Sequence, residues 1–227
     1  MNDINNKDSL NIKNIIISSL ACLIPALVSL LIWDRLPDEM ATSFGFNGVP
    51  NEYMTKFQAT IGATLYLVIL HLLVIVAIKV DPLKDNNSDK LKSKMIYFTP
   101  ILSNIIIGLI IGYSLDYNFD MNRIMFLFIS ILFIIFGNFM PKCKKNYTIG
   151  VRTAWTLNSE DNWYYTHRVA GKVWFYCGII GLANALLLNN IQVFFILLLI
   201  TCFSPIAISY NYYRKFEQNN QKVKLDE

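Results

Sequence analysis

Residues 173–213 read VWFYCGIIGLANALLLNNIQVFFILLLITCFSPIAISYNYY, 41 positions without one Asp, Glu, Lys or Arg. One membrane crossing needs roughly 20 apolar residues, so this block holds two. Asn189 and Asn190, ahead of Ile191 and Gln192, interrupt it and predict a tight polar turn between two short helices. Four further charge-free blocks run over Asn14–Trp33, Phe57–Ile78, Met95–Leu115 and Ile124–Pro141. Charged side chains are costly at the bilayer centre, so six uncharged segments of this length read as six transmembrane helices. The chain as a whole agrees: of 227 residues 54% are hydrophobic and only 16% charged, with a mean hydropathy of +0.40, against about 25% charged in soluble domains. A 14% aromatic content with a net charge of +4 excludes a disordered chain. Ten glycines and seven prolines exclude a collagen-like one. The fold class is an all-α integral membrane protein.

Lys and Arg assign the sides, because cytoplasmic segments retain them during insertion. The N-terminal tail, the loop after the second helix, the loop after the fourth and the C-terminal tail carry 17 of the 20 basic residues. The opposite face has Arg35, Lys56 and Arg123 against six carboxylates. Both termini are therefore expected in the cytoplasm. The chain divides into an N-terminal two-helix part, residues 1–94, with an extracellular loop over 34–57, and a C-terminal four-helix part, residues 95–227, with a cytoplasmic loop over 141–172. Insertion topology and contact with anionic membrane lipids explain the basic balance without nucleic-acid binding. The first apolar run lacks a small-residue cleavage site before Trp33 and reads as an uncleaved helix.

The spans hold no charged residue, which disfavours an ion-driven carrier. His71, Asn104, Asn138 and Asn184 read as interhelical hydrogen-bonding residues, and Gly108 with Gly112 as a pair permitting close helix approach. Pro25, Pro100 and Pro205 are each expected to kink a helix. The two histidines, His71 and His167, lie in no metal-ligand spacing, and no nucleotide or nucleophile motif occurs. No metal, cofactor or catalytic residue is assigned, and the chain is read as a non-enzyme.

The stretch Gly137–Trp174, GNFMPKCKKNYTIGVRTAWTLNSEDNWYYTHRVAGKVW, is the most unusual. Asn146 to Thr153 reads as extended and turn-like, with Gly150 free to take a positive φ. Asn158 or Ser159 can cap a helix whose first turn holds Glu160 and Asp161 and which runs on into the fifth span. Trp163, His167 and Trp174 share one face, as in an amphipathic segment lying at the headgroup level with its indoles at the interface. Arg152 beside Thr153 and Trp155, then His167 and Arg168, offers directional donors and stacking faces beyond what anchoring requires.

Asn146-x-x-x-Gly150-x-Arg152-Thr153-x-Trp155-Thr156-Leu157, followed by Trp163-x-x-Thr166-His167-Arg168, resembles the signature of the SdpI family, bacterial membrane proteins named for immunity to a secreted toxic peptide. Gly137-Asn138-x-Met140-Pro141 resembles the approach to that loop in the same family. The outer loop, Leu36-Pro37 through Phe44-Gly45-Phe46-Asn47-Gly48-Val49-Pro50, is similar to a companion membrane domain of unknown function, as is Asp81-Pro82. The resemblance implies a cell-membrane protein of six helices that protects its producer from a secreted antimicrobial peptide and, as a second role, sequesters a cytoplasmic autorepressor. On this reading Pro37, Phe44, Phe46, Asn47 and Gly48 face the toxin. Asn146, Gly150, Arg152, Thr153, Trp155, Thr156, Trp163, His167 and Arg168 form the cytoplasmic partner surface. Two other readings compete: a small-molecule or lipid transporter with its path between the two halves, and a membrane enzyme using Glu160, His167 and Arg168 on a lipid headgroup.

Overall fold

In a bilayer an apolar segment can bond its backbone only to itself, so each charge-free block coils into a helix. The computed structural model describes residues 11–45, 48–87, 89–117 and 119–218. Six helical stretches in it are long and apolar enough to cross a membrane. Ile12–Leu31 comprises α1 (Ile12–Cys22) and α2 (Ile24–Leu31); Gln58–Val80 is a π-turn leading into α3 (Ala63–Val80). Leu91–Ser114 contains most of α4 (Asp89–Ile96) and all of α5 (Phe98–Ser114). Met121–Lys142 is α6 (Met121–Phe139) closed by a 3-10 turn. After a short α7 (Ala154–Asn158), Glu160–Leu188 is α8 (Glu160–Ala183) with a terminal π-turn, and Ile191–Glu217 is α9 (Ile191–Tyr212) with another. Asn189 turns the chain in the left-handed conformation, φ 48°, and the Asn190 side chain caps α9 by accepting from the amides of Gln192 and Val193.

Burial is inverted relative to a water-soluble protein. Ser18, Ser29, Thr60, Thr64, His71 and Ser103 are fully buried, while Leu31 is 85% and Leu187 80% exposed. Apolar side chains turned outward over small polar residues turned inward suit a hydrocarbon solvent. The chain is a multi-pass membrane protein.

Its described residues form two compact units, Met1–Phe119 and Asp120–Glu227. In the first, α5 packs on α1, α2 and α3; sequence alone groups that helix with the C-terminal part. His71 on α3 meets Ser18 of α1, with Nε2 and Oγ 3.2 Å apart. The long loop between the first two spans is an antiparallel hairpin of β1 (Glu39–Phe44) and β2 (Pro50–Thr55), which the all-helical reading does not contain. Leu36 and Met40 anchor it in a cluster with Ala59, Ile107, Ile110 and Ile111.

The second unit is organised by a close crossing of α6 and α8. A Cβ on Gly137 would lie 2.5 Å from the amide nitrogen of Phe175, and one on Gly171 would lie 2.8 Å from the Gly137 carbonyl oxygen. Further along both helices, a Cβ on Gly178 would meet the Ser130 carbonyl oxygen at 2.7 Å. Only hydrogen fits at these points, so the two backbones touch. Gly108 does not serve this purpose: among the described residues nothing lies within 4 Å of where its Cβ would be, and Gly112 merely faces the Phe119 ring at 3.4 Å. Spacing within a helix does not say which glycine meets a partner.

Each proline inside a span deprives the carbonyl four residues earlier of its helical donor. Pro25 does this to Ala21, and the Asn104 amide donates to that carbonyl at 2.9 Å. Pro205 does it to Thr201, and the Trp174 indole N–H donates there at 2.8 Å. Pro141 does it to Gly137, whose carbonyl is covered by the Gly171 backbone. Pro100 follows a break at Tyr97 between α4 and α5 inside one span, the interruption expected at that proline and the counterpart of the break at Leu23 ahead of Pro25. Asn184 ties its own hairpin, accepting from the Asn190 amide and donating to the Asn190 carbonyl, whereas Asn138 lies at an exposed helix end beside Lys142.

Trp174→Phe should lower unfolding stability in detergent by about 1–3 kcal/mol, the cost of one buried unsatisfied carbonyl. Trp174→Phe combined with Pro205→Ala should recover most of that loss, because the backbone amide that replaces the proline nitrogen then bonds the Thr201 carbonyl itself. Additive effects of the two substitutions in thermal unfolding would refute the pairing.

Candidate functional site: a loop clamped over a buried Trp–His pair

The loop between α6 and α8 is built around side chains that never reach its surface. Asn146 is 2% exposed and uses its whole amide: Oδ1 accepts from the amides of Thr148 and Ile149, and Nδ2 donates to the carbonyls of Lys144 (2.7 Å) and Ile149 (3.0 Å). That turns the chain so that Gly150, at φ +114°, crosses directly above Trp163 and His167. The indole and imidazole are stacked, centroids 4.1 Å apart and planes at 22°. A Cβ at Gly150 would collide with His167 Nε2 and lie 3.1 Å from the indole, so glycine is required by both the dihedral and the space.

Both rings hold the loop by hydrogen bonds. Trp163 Nε1 donates to the Cys143 carbonyl at 2.9 Å. His167 Nε2 accepts from the Val151 amide at 2.9 Å, so it carries no proton; Nδ1, 2.8 Å from the Trp163 carbonyl, is therefore the N–H. The imidazole is neutral with both nitrogens engaged, which removes it from acid–base work on a lipid headgroup. Trp163 and His167 are 0% and 1% exposed. The expected headgroup-level placement of the Trp163 indole is thus corrected: the face predicted by its spacing is real, but the loop covers it.

Downstream, Thr153 and Thr156 cap α7 reciprocally, each hydroxyl accepting from the other's amide. Thr156 Oγ1 also donates to the Val151 carbonyl at 2.9 Å. Ser159 caps α8 by accepting from the Asn162 amide at 3.2 Å. The loop is then tied to α9 through Ser209, which accepts from Thr153 Oγ1 at 3.1 Å and, through its carbonyl, from Asn162 Nδ2 at 3.1 Å. Trp155, half-buried, packs against Tyr210 with centroids 5.1 Å apart. Asn162 and Ser209 are absent from the sequence-based set. Their signal is a step of four: Thr201, Pro205 and Ser209 form a small, polar stripe on an otherwise apolar helix.

Seven of the nine loop residues named from sequence thus converge on one scaffold. Arg152 and Arg168 remain exposed, the Arg152 guanidinium donating to the Tyr147 carbonyl at the loop's outer surface. In the N-terminal unit Pro37 is exposed, and Phe44 packs edge-on against Tyr113 at 4.8 Å. Gly48, at φ +74°, closes the hairpin by donating to the Gly45 carbonyl. Phe46 and Asn47 lie outside the described residues.

Fold and site define a multi-pass helical membrane protein with a folded, tightly cross-braced loop ahead of its fifth span. Residues 142–209, from the start of that loop to Ser209, match the sequence model of the SdpI/YfhL protein family. Residues 20–70, covering α2, the hairpin and part of α3, match the domain of unknown function DUF1648. The chain therefore carries an SdpI-family region preceded by this companion domain. Among characterised relatives, the immunity protein SdpI of Bacillus subtilis (strain 168) is 27% identical over 212 residues, covering 89% of this chain and 97% of the relative. No solved structure matches.

Burial pushes the Cys143 thiol up to about 11, so at neutral pH it is protonated and unreactive. Peptide mapping after maleimide treatment in mild detergent should find Cys143 unmodified in the native protein and modified in Gly150→Val, whose side chain lifts the loop off the Trp163–His167 pair. Equal labelling of the two proteins would contradict the clamp.

Proposed function

We propose that this protein protects its host bacterium from a secreted antimicrobial peptide. The observation that carries the reading is the match, nearly end to end, to a protein named for immunity. It is supported by the coincidence of the SdpI-family region with the braced loop. Orientation from the basic residues places the β-hairpin outside, where Pro37, Phe44, Phe46, Asn47 and Gly48 meet the toxin, and the braced loop inside. There Asn146, Gly150, Thr156, Trp163 and His167 act as scaffold, Thr153 and Trp155 join the loop to α9, and Arg152 with Arg168 contacts a partner. Sequestration of a cytoplasmic transcriptional repressor is the second activity of that inner surface. A guanidinium held by a backbone carbonyl on a rigid loop loses little freedom on binding, which suits it to recognition of a carboxylate.

Expression in a sensitive strain exposed to the cognate peptide should raise survival. Arg152→Ala, at equal membrane level, should abolish protection or repressor release while thermal unfolding stays within about 0.5 kcal/mol of the native protein, as for an exposed residue. Full protection together with full repressor release in Arg152→Ala would remove the loop from the mechanism.

A further inference from the structure

The crossing of α6 and α8 brings two lysines to one edge of the membrane. Lys142 directly follows the charge-free block that closes at Pro141, and Lys172 directly precedes the one that opens at Val173. Pro141 lies against Gly171, so both ammonium groups stand at the same headgroup level. The two helices are antiparallel, since Gly137 meets Gly171 while Ser130 meets Gly178. Seen from one end, their screws turn in opposite senses, so the residue following each contact position emerges on the same side of the crossing. Asn138 after Gly137, Lys142 after Pro141 and Lys172 after Gly171 therefore share one side, and all three are exposed. Lys142 Nζ reaches back to 3.5 Å from Asn138 Oδ1, the level at which Lys172 leaves α8.

This side of the crossing is positive and lacks a counter-ion. Lys172 has no ion pair or hydrogen bond among the described residues. Arg168, one turn nearer the loop on the same exposed face, adds a like charge, and the carboxylates of α8, Glu160 and Asp161, lie two turns beyond it in the first turn of the helix. Toward the bilayer centre the same two faces continue as Ile135 and Ile131 on α6 and as Tyr176 and Ile179 on α8, all turned outward. An occupant must therefore be an anion with an apolar tail. A phosphodiester suits the polar end, because its free oxygens accept from both ammonium groups and from the Asn138 amide N–H. A zwitterionic headgroup suits it less, since it brings a positive charge of its own beside the lysines.

We propose that the α6–α8 crossing binds an anionic phospholipid, its phosphate held by Lys142, Lys172 and Asn138 and its acyl chains lying along Ile135 and Ile179. The full chain is extracted in mild detergent with equimolar phosphatidylglycerol, phosphatidylethanolamine and phosphatidylcholine of identical acyl chains, and retained lipid is counted by native mass spectrometry. The native protein should retain phosphatidylglycerol preferentially. Lys142→Gln combined with Lys172→Gln should lower that preference by about ten- to thirtyfold, the loss of two juxtamembrane charges. Lys142→Arg combined with Lys172→Arg should keep it. Lys13→Gln combined with Lys79→Gln, which removes the same charge from exposed positions at the ends of α1 and α3, should also keep it. Equal retention of the three lipids by the native protein, an unchanged preference in the Lys142 and Lys172 glutamine variant, or an equal loss in the Lys13 and Lys79 variant would overturn the assignment.

Discussion

Contact between the backbones of α6 and α8 at Gly137 and Gly171 is the constraint on which the C-terminal unit rests. No side chain intervenes, so the middle of α8 is brought against the end of α6, its first turns run past that end, and the intervening loop folds back over them to connect the two helices. That is why Trp163 and His167 lie under the loop: the crossing fixes the helix beneath, and Asn146 turns the chain above. Helix association in a bilayer gains little from apolar burial and depends on packing and hydrogen bonding, so a glycine-lined crossing is an efficient way to hold two spans. Gly178 against Ser130 extends the same contact deeper along both helices.

A second rule runs through both units: a polar backbone group released in hydrocarbon is taken up by a side chain from another helix. Asn104 answers Pro25, and Trp174 answers Pro205. The prolines therefore fix helix partners as well as interrupting ladders. The same rule holds in the loop, where Asn146, Trp163, His167 and Thr156 direct their polar atoms to backbone groups of the loop. Most of the family signature in this chain thus builds a surface, and few of its residues are left to touch anything else.

The spans, the Asn189–Asn190 turn and the Ser159 cap were legible in the sequence because each depends on neighbours a few positions away. The rest required distant partners. The face shared by Trp163 and His167 follows from helical periodicity, but periodicity does not reveal what covers a face; here it is Gly150, well upstream of both rings. α7 is too short to stand on propensity and depends on its reciprocal threonine cap and on Ser209, 56 residues beyond Thr153. Gly108 and Gly112 had the spacing of a contact without, among the described residues, a backbone packed against either of them, whereas Gly137 and Gly171 had the contact without a shared helix. The hairpin was hidden because its strands are six residues each and bulged, with burial confined to Met40 and Ala41.

The proposed immunity requires the hairpin on the side from which a secreted peptide arrives and the braced loop on the other, so sidedness is the hinge of the proposed function. Arg152→Cys in sealed, intact cells, probed with a membrane-impermeant maleimide, tests it directly. Labelling only after permeabilisation is the predicted result. Labelling from the medium before permeabilisation would put the guanidinium on the toxin's side and contradict the proposed division of roles.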